Sequence, residues 1–325
     1  MQFNDLGPLA GVSRLTLGGG GLGELWGETS RGEAVATLKA AIEAGVNLID
    51  TAPLYRHCEA VIAAAFDGRL PDGVRITSKV YLGSPPANEV AARITASLDA
   101  SLAAMKLDRT DLFFLHTNIR PDDYVYARRA HRQDEFSTRW SLYAEQVVPT
   151  LEALQRQGRI GAWGITATGV PQTIKAALAH SPEPAVAQAV TNLLDSAGDM
   201  RAYAEPPVPR EIIAAAVTQG VGVMGIRAVQ AGALTARLDR PLHPKSAELA
   251  DYARAAPYRA LCADLGEDPA VIAHRYALGM NGVDTLVIGV KNRAELAQCL
   301  AAERQGALPA DLVARIDGLG LREPA

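Results

Sequence analysis

The sequence predicts a closed (β/α)8 barrel, the TIM-barrel class of α/β fold, and three observations carry that prediction. Eight short apolar runs of strand length recur along the 325 residues, with helix-length segments between them. Apolar residues make up 48% of the chain but aromatics only 5%, so a large core must be filled by Ala, Val, Leu and Ile. No linker or low-complexity stretch breaks the alternation, so residues 1–325 are read as one domain.

The runs are 14–17, 47–49, 74–78, 112–115, 160–165, 186–190, 221–226 and 285–288. Continuous short apolar runs mark parallel strands buried on both faces. The helices between them carry end signals. Ser30-Arg31-Gly32-Glu33 is a capping box opening a helix that stops at Gly45. Pro209 starts a helix ending near Gly220, and Asp268-Pro269 sets a capping Asp before a Pro at the first helical position. Val90, Ile94, Leu98, Leu102 and Met105 form a stripe that lies against a sheet. Ahead of the first strand, Gln2-Phe3 and Gly11 to Leu15 flank a Gly-Pro turn, which predicts a β-hairpin closing the barrel floor. Two connections are long, 117–141 and 229–256; both follow strands and therefore cover the carboxyl rim, where long loops bind ligands.

Charge and cysteine content narrow the function. Net charge is −4, and the locally basic stretch with Arg128, Arg129, Arg132 and Arg139 is interrupted by Asp134 and Glu135, so it reads as a solvated loop and no nucleic-acid partner is expected. Three scattered cysteines fit a reducing cytoplasm better than a disulfide framework. No metal-ligand spacing, signal peptide or membrane-length apolar run occurs, so no metal and no membrane are expected. The oligomeric state is left open.

The chemistry sits at strand ends. Asp50 ends the second run, Lys79 the third and His116 the fourth, with Tyr55 on the loop after Asp50. Carboxyl ends of neighbouring parallel strands share one rim, the place where α/β active sites are built. Singly, each residue has an ordinary structural reading; together they make a proton-transfer set. An ammonium at Lys79, kept charged by Asp50, is expected to lower the pKa of Tyr55 toward neutrality and make it a general acid. His116 is expected to hydrogen-bond and orient the substrate oxygen. None of the four carries electrons, so a carbonyl–alcohol exchange would take a hydride from a nicotinamide cofactor. A rival pattern, Gly18 to Gly23, spells Gly-x-Gly-x-x-Gly after a strand. Its dinucleotide-binding reading needs a helix opening at the last glycine, whereas six residues, 24–29, precede the helix signal at Ser30. Gly20 within this run is kept as a cofactor-contact candidate.

At these residues the chain resembles the aldo-keto reductases over essentially its whole length. Asn47-Leu48-Ile49-Asp50-Thr51-Ala52-Pro53-Leu54-Tyr55, Ile76-Thr77-Ser78-Lys79 and Leu115-His116 resemble the family segments with its catalytic Asp, Tyr, Lys and His. The resemblance implies a (β/α)8 barrel and NAD(P)H-dependent carbonyl reduction, with hydride from the nicotinamide and a proton from Tyr55. Arg14-Leu15-Thr16-Leu17-Gly18 with Leu22-Gly23 resembles the branch holding bacterial sugar and pyridoxal dehydrogenases. Gln188 matches the family glutamine that holds the carboxamide, and Thr166 stands where a serine is usual. Ala167 cannot replace the usual asparagine, and Thr191 occupies the place of a stacking aromatic. Arg227, in Ile226-Arg227-Ala228-Val229, is a candidate for the pyrophosphate by charge. Lys291 and Asn292 resemble the segment gripping the 2′-phosphate, which favours NADP(H) with NAD(H) possible. Trp26 is the candidate substrate wall, Trp140 and Tyr143 are expected to pack the long loop after the fourth strand, and Cys58 is read as a small packing residue. The expected function is reduction of an aldehyde or ketone, or the reverse on a sugar-like alcohol. The alternative is a cofactor-sensing regulatory subunit on the same barrel.

Overall fold

The computed structural model describes residues 1–322; positions 323–325 of the span read as one domain lie outside the described residues. In chain order the strands are β1 (Phe3–Leu6), β2 (Leu9–Ser13), β3 (Leu15–Gly18), β4 (Leu48–Asp50), β5 (Arg75–Val80), β6 (Thr110–Leu115), β7 (Asn118–Arg120), β8 (Ser137–Arg139), β9 (Ile160–Thr166), β10 (Val186–Val190), β11 (Gly222–Ile226) and β12 (Thr285–Ile288). Eight of them close a barrel in the order β3-β4-β5-β6-β9-β10-β11-β12. All its pairings are parallel, and each of the eight apolar runs supplies one strand. The third run was expected at 74–78; the strand extends to Val80, so Lys79 lies inside its carboxyl end rather than just beyond it.

Helix ends follow their local chemistry. Ser30 Oγ accepts from the Glu33 N–H at 3.1 Å to open the helix Arg31–Glu43, which hands over to Gly45 at φ +94°. Asp268 caps Pro269–Leu278 by accepting from the Ala270 N–H at 2.7 Å. Pro209 opens Pro209–Thr218, and Gly220 at φ +71° follows its end. In Val90–Met105 the buried set includes the whole stripe Val90, Ile94, Leu98, Leu102 and Met105.

β1 and β2 form an antiparallel hairpin, as expected, but with different limits. The turn is only Gly7-Pro8, with Leu6 opposite Leu9, so pairing resumes directly after the proline instead of at Gly11. Gly7 has φ +53°, and its missing side chain lets the turn press on the Ala185 carbonyl. Leu6 and Val12 thereby enter a buried cluster with Leu48, Leu112, Phe114, Val186 and Met224. Burying such side chains is worth about 1.5–3 kcal/mol each. This floor fills one end of the barrel and leaves the carboxyl end for chemistry.

Both long connections fold over that end. β7 and β8 pair in parallel as a small excursion between β6 and β9, and Gly169 bridges to Ile119 beside them. The connection after β11 ends in the helix Ala247–Arg254, held by buried Glu248 and Asp251. Among the described residues no helix is long and apolar enough to cross a membrane.

Candidate active site

The barrel register sets the site. Asp50 is the last residue of β4 and pairs with Thr77 of β5. Alternation along β5 puts Thr77 and Lys79 on the same side, toward the barrel interior with Asp50. Lys79 Nζ donates to Asp50 Oδ2 at 2.8 Å, to the Thr51 carbonyl at 2.9 Å and to Tyr55 Oη at 3.1 Å. An ammonium has three N–H bonds, and here each has an acceptor. Tyr55 Oη spends an acceptor position on Lys79 and keeps its own O–H to donate. Asp50 Oδ1 accepts from Thr77 Oγ1 at 2.8 Å and from Gln188 Nε2 at 2.7 Å. Burying an ion pair costs several kcal/mol per ion, and this network of charge-assisted hydrogen bonds offsets it.

The pair's electrostatics correct one expectation. Burial lowers the Lys79 pKa, but Asp50 and Tyr55 outweigh it and leave the ammonium above its ordinary value. Tyr55 was expected below its ordinary pKa. It lies above it, because burial raises the phenol more than Lys79 lowers it, and the Asp50 charge adds to the rise. Tyr55 as a whole is partly exposed, but its hydroxyl is hydrogen-bonded to the fully buried Lys79 ammonium. The set therefore holds a protonated phenol beside a cation at neutral pH instead of an easily ionised one.

His116 follows β6 and packs edge-on against the Tyr55 ring, with centroids 5.7 Å apart. Burial, helped by the Lys79 charge, holds its pKa well below the usual histidine range, so the imidazole is neutral. Its Nδ1 is buried without a hydrogen-bond partner. Tyr81, which sequence reasoning missed, also packs edge-on against His116, at 6.1 Å. Its signal was available: Tyr81 continues from β5 two residues beyond Lys79.

His116 and Tyr81 open into a cavity of about 500 Å3 whose lining also includes Trp26, Thr166, Arg227 and Glu248. Trp26 lines this cavity, with the Arg240 guanidinium 5.4 Å over its ring. Thr166 Oγ1 is buried with no partner, an open hydrogen-bonding group at the end of β9. Arg227 lines the cavity at φ +64° but is already engaged, donating to Glu248 and, from Nε, to Gln230 Oε1 at 2.8 Å. Burial would raise the Glu248 carboxyl, but Arg227 and the hydrogen bonds from Asp199 and Ser246 hold it at about 2. Lys291 is likewise paired, with Asp239 and, at 3.2 Å, with Glu295. The side chain of Asn292 caps the helix Arg293–Gln305, accepting from the Glu295 N–H at 2.9 Å.

Gly20 has a packing job: a Cβ there would lie 2.5 Å from Trp26 Nε1, and the residue is buried. The glycine run forms a four-residue helix, Gly19–Leu22, whose neighbours leave no room for side chains. Cys58 is buried with its thiol pushed up to about 12, in keeping with a packing residue. Trp140 and Tyr143 meet at a tilt, 5.6 Å between centroids, and pack into the main core at the end of the long connection, with Tyr143 fully buried.

The aldo/keto reductase family model matches residues 14–320. An L-galactose dehydrogenase from Arabidopsis thaliana is 22% identical over 298 residues, covering 90% of this chain and 84% of that protein. A methylglyoxal reductase of Escherichia coli is 31% identical over 140 residues, covering 42% of this chain and 40% of its own. Among solved structures, an aldo-keto reductase from Bacillus halodurans in its holo form superposes with a TM-score of 0.70 at 21% identity, covering 98% of this chain and 96% of that one. One from Klebsiella pneumoniae in complex with NADPH gives 0.70 at 19% identity, covering 100% and 96%. The chain belongs to the aldo/keto reductase family. It is an NAD(P)-dependent oxidoreductase of that family, built for small carbonyl compounds.

Proposed function

We propose that this protein reduces a small aldehyde or ketone to its alcohol with NADPH in preference to NADH, and runs in reverse on a sugar-like alcohol. The observation that carries the reading is Tyr55 Oη held 3.1 Å from a buried, fully partnered Lys79 ammonium, beside a neutral His116. In this reading His116 donates a hydrogen bond to the carbonyl oxygen and fixes its orientation. Tyr55 delivers its proton to the same oxygen as negative charge develops there, and Lys79 stabilises the phenolate left behind. Asp50 keeps Lys79 charged, and Thr77 and Gln188 fix Asp50 in turn.

The nicotinamide nucleotide, when bound, supplies the hydride. The residues present fit it. Thr166 offers an unpartnered buried hydroxyl, and Gln188, its amide nitrogen committed to Asp50, has its carbonyl oxygen left to meet a carboxamide. Arg227 is a cation for the pyrophosphate, and Lys291, beside Asn292, is a cation for a 2′-phosphate that would compete with Asp239 and Glu295 for it, which is why NADPH is favoured. We further read the barrel and its two long connections as one domain, and the three buried free cysteines fit a cytoplasmic enzyme.

Titrating tryptophan fluorescence with NADPH and NADH, followed by turnover of a panel of aldehydes and ketones, tests the proposal. Tighter binding of NADPH with turnover of at least one carbonyl is expected. Binding of either nucleotide without turnover of any carbonyl would point instead to the regulatory-subunit alternative.

A further inference from the structure

The cavity has two walls of different character. Thr166, Arg227 and Glu248 come from β9 and from beyond β11, the side assigned above to the cofactor. On the other side, Tyr81, His116 and Arg129 come from beyond β5 and β6. Arg129 is read from sequence as part of a solvated loop; the fold turns it into the cavity lining. It has φ +60°, a left-handed backbone that starts a short 3₁₀ turn at Ala130.

Among the cations of the lining, Arg129 differs in its partners. Arg227 is paired with Glu248, and Arg240 donates to Asp239 Oδ1 and to the Ala231 carbonyl. Neighbouring Arg132 is paired with Glu135. The Arg129 guanidinium makes no ion pair or side-chain hydrogen bond among the described residues. Its positive charge does reach the Tyr81 phenol: burial raises the Tyr81 pKa, while Arg129 and Arg132 pull it down. The rings of Tyr55 and Tyr81 each meet the His116 ring edge-on, 5.7 and 6.1 Å between centroids. A substrate that reaches His116 through this cavity has the Tyr81 phenol and the Arg129 guanidinium, which has no acid partner among the described residues, in the same lining.

We propose that Arg129, assisted by Tyr81, is a specificity-determining residue that selects carbonyl substrates bearing an anionic group, a carboxylate or a phosphate, a short chain away from the carbonyl. This rests on the carbonyl-reducing reading above. A guanidinium matches either anion with paired N–H donors. Its exposure moderates the expected gain to about tenfold in kcat/KM.

The test compares matched substrates: butanal with 4-oxobutanoate, and glyceraldehyde with glyceraldehyde 3-phosphate, using wild type, Arg129→Gln and Arg129→Lys. Wild type should favour at least one anionic member about tenfold, and the preferred pair names the anion. In Arg129→Gln that preference should vanish, through KM more than kcat; Arg129→Lys should recover part of it. Equal kcat/KM within both pairs in wild type, or an unchanged ratio in Arg129→Gln, would overturn the proposal. If no carbonyl is turned over, the carbonyl-reducing reading fails first. Butanoate and inorganic phosphate then decide the anion site by quenching of tryptophan fluorescence: quenching in wild type and not in Arg129→Gln keeps it, and no difference removes it.

Discussion

Gly23 and Tyr55 touch so closely that any Cβ at position 23 would overlap the Tyr55 carbonyl oxygen. The glycine run after β3 therefore sets how near the Tyr55 segment lies to the barrel. The next residue, Arg56, has φ +51° and ψ −105°, an uncommon backbone for a non-glycine residue, beside the proposed proton donor. Gly23→Ala should push Tyr55 off its hydrogen bond to Lys79. A displacement near 1 Å costs roughly a hundredfold in rate, so kcat should fall by about that factor while nucleotide affinity changes little. Steady-state kinetics with fluorescence titration checks this, and an unchanged kcat would show that the Tyr55 segment adapts.

Tyr55→Phe removes the proposed proton donor and one of the three acceptors of the Lys79 ammonium, leaving Asp50 and the Thr51 carbonyl in place. Loss of a positioned general acid costs roughly 10²–10⁴-fold, with nucleotide binding retained. A rate within a few-fold of wild type would take Tyr55 out of its role.

The pH profile follows from the direction of the shifts. With Tyr55 as the proposed proton donor, reduction needs it protonated, and its pKa lies above the ordinary 10.0, so reduction should stay level through neutral pH and fall only in strongly alkaline solution. Alcohol oxidation needs the phenolate and should rise over that alkaline range. His116 is held well below 6.5, so neither direction should show a limb near that value. An inflection there would mean that the imidazole is not neutral.

Lys79→Met leaves the buried Asp50 carboxylate without its cation. Breaking such a pair costs roughly 3–5 kcal/mol; the donors Thr77 and Gln188 remain, so the lower part of that range is expected. Adding Asp50→Asn removes the stranded charge and should restore part of the loss. Denaturant unfolding of the single and double variants measures both, and a double variant no more stable than Lys79→Met would argue against the uncompensated charge as the cause.

Lys291 is partly neutralised by Asp239 and Glu295, so a 2′-phosphate must compete with two carboxylates for it. Lys291→Met should lower the preference for NADPH over NADH about tenfold, and Asp239→Asn should raise it. Binding titrations with both nucleotides read the ratio, and equal ratios in all three proteins would remove Lys291 from 2′-phosphate recognition.

Much of this was legible in the sequence because it is local or periodic. Ser30, Asp268 and Pro209 announce helix starts through bonds made within a few residues, and the eight apolar runs announce strands because parallel strands are buried on both faces. The Asp50, Lys79 and His116 positions follow from the same periodicity, since strand ends in a closed barrel share a rim. Tyr81 and Thr77 were missed although they lie two residues from Lys79 along the same stretch, where alternation could have pointed to them.

What the sequence determined by itself was the order of strands and the gathering of Asp50, Tyr55, Lys79 and His116 at one rim, because both depend on spacing along the chain. The tertiary structure alone decided the sign of the Tyr55 shift, the engagement of Arg227 and Lys291 by acids distant in sequence, and the turn of Arg129 toward the cavity. Each depends on how deeply a group is buried and which charges approach it from other elements. Desolvation and long-range pairing are properties of the folded surface, and spacing along the chain does not encode them.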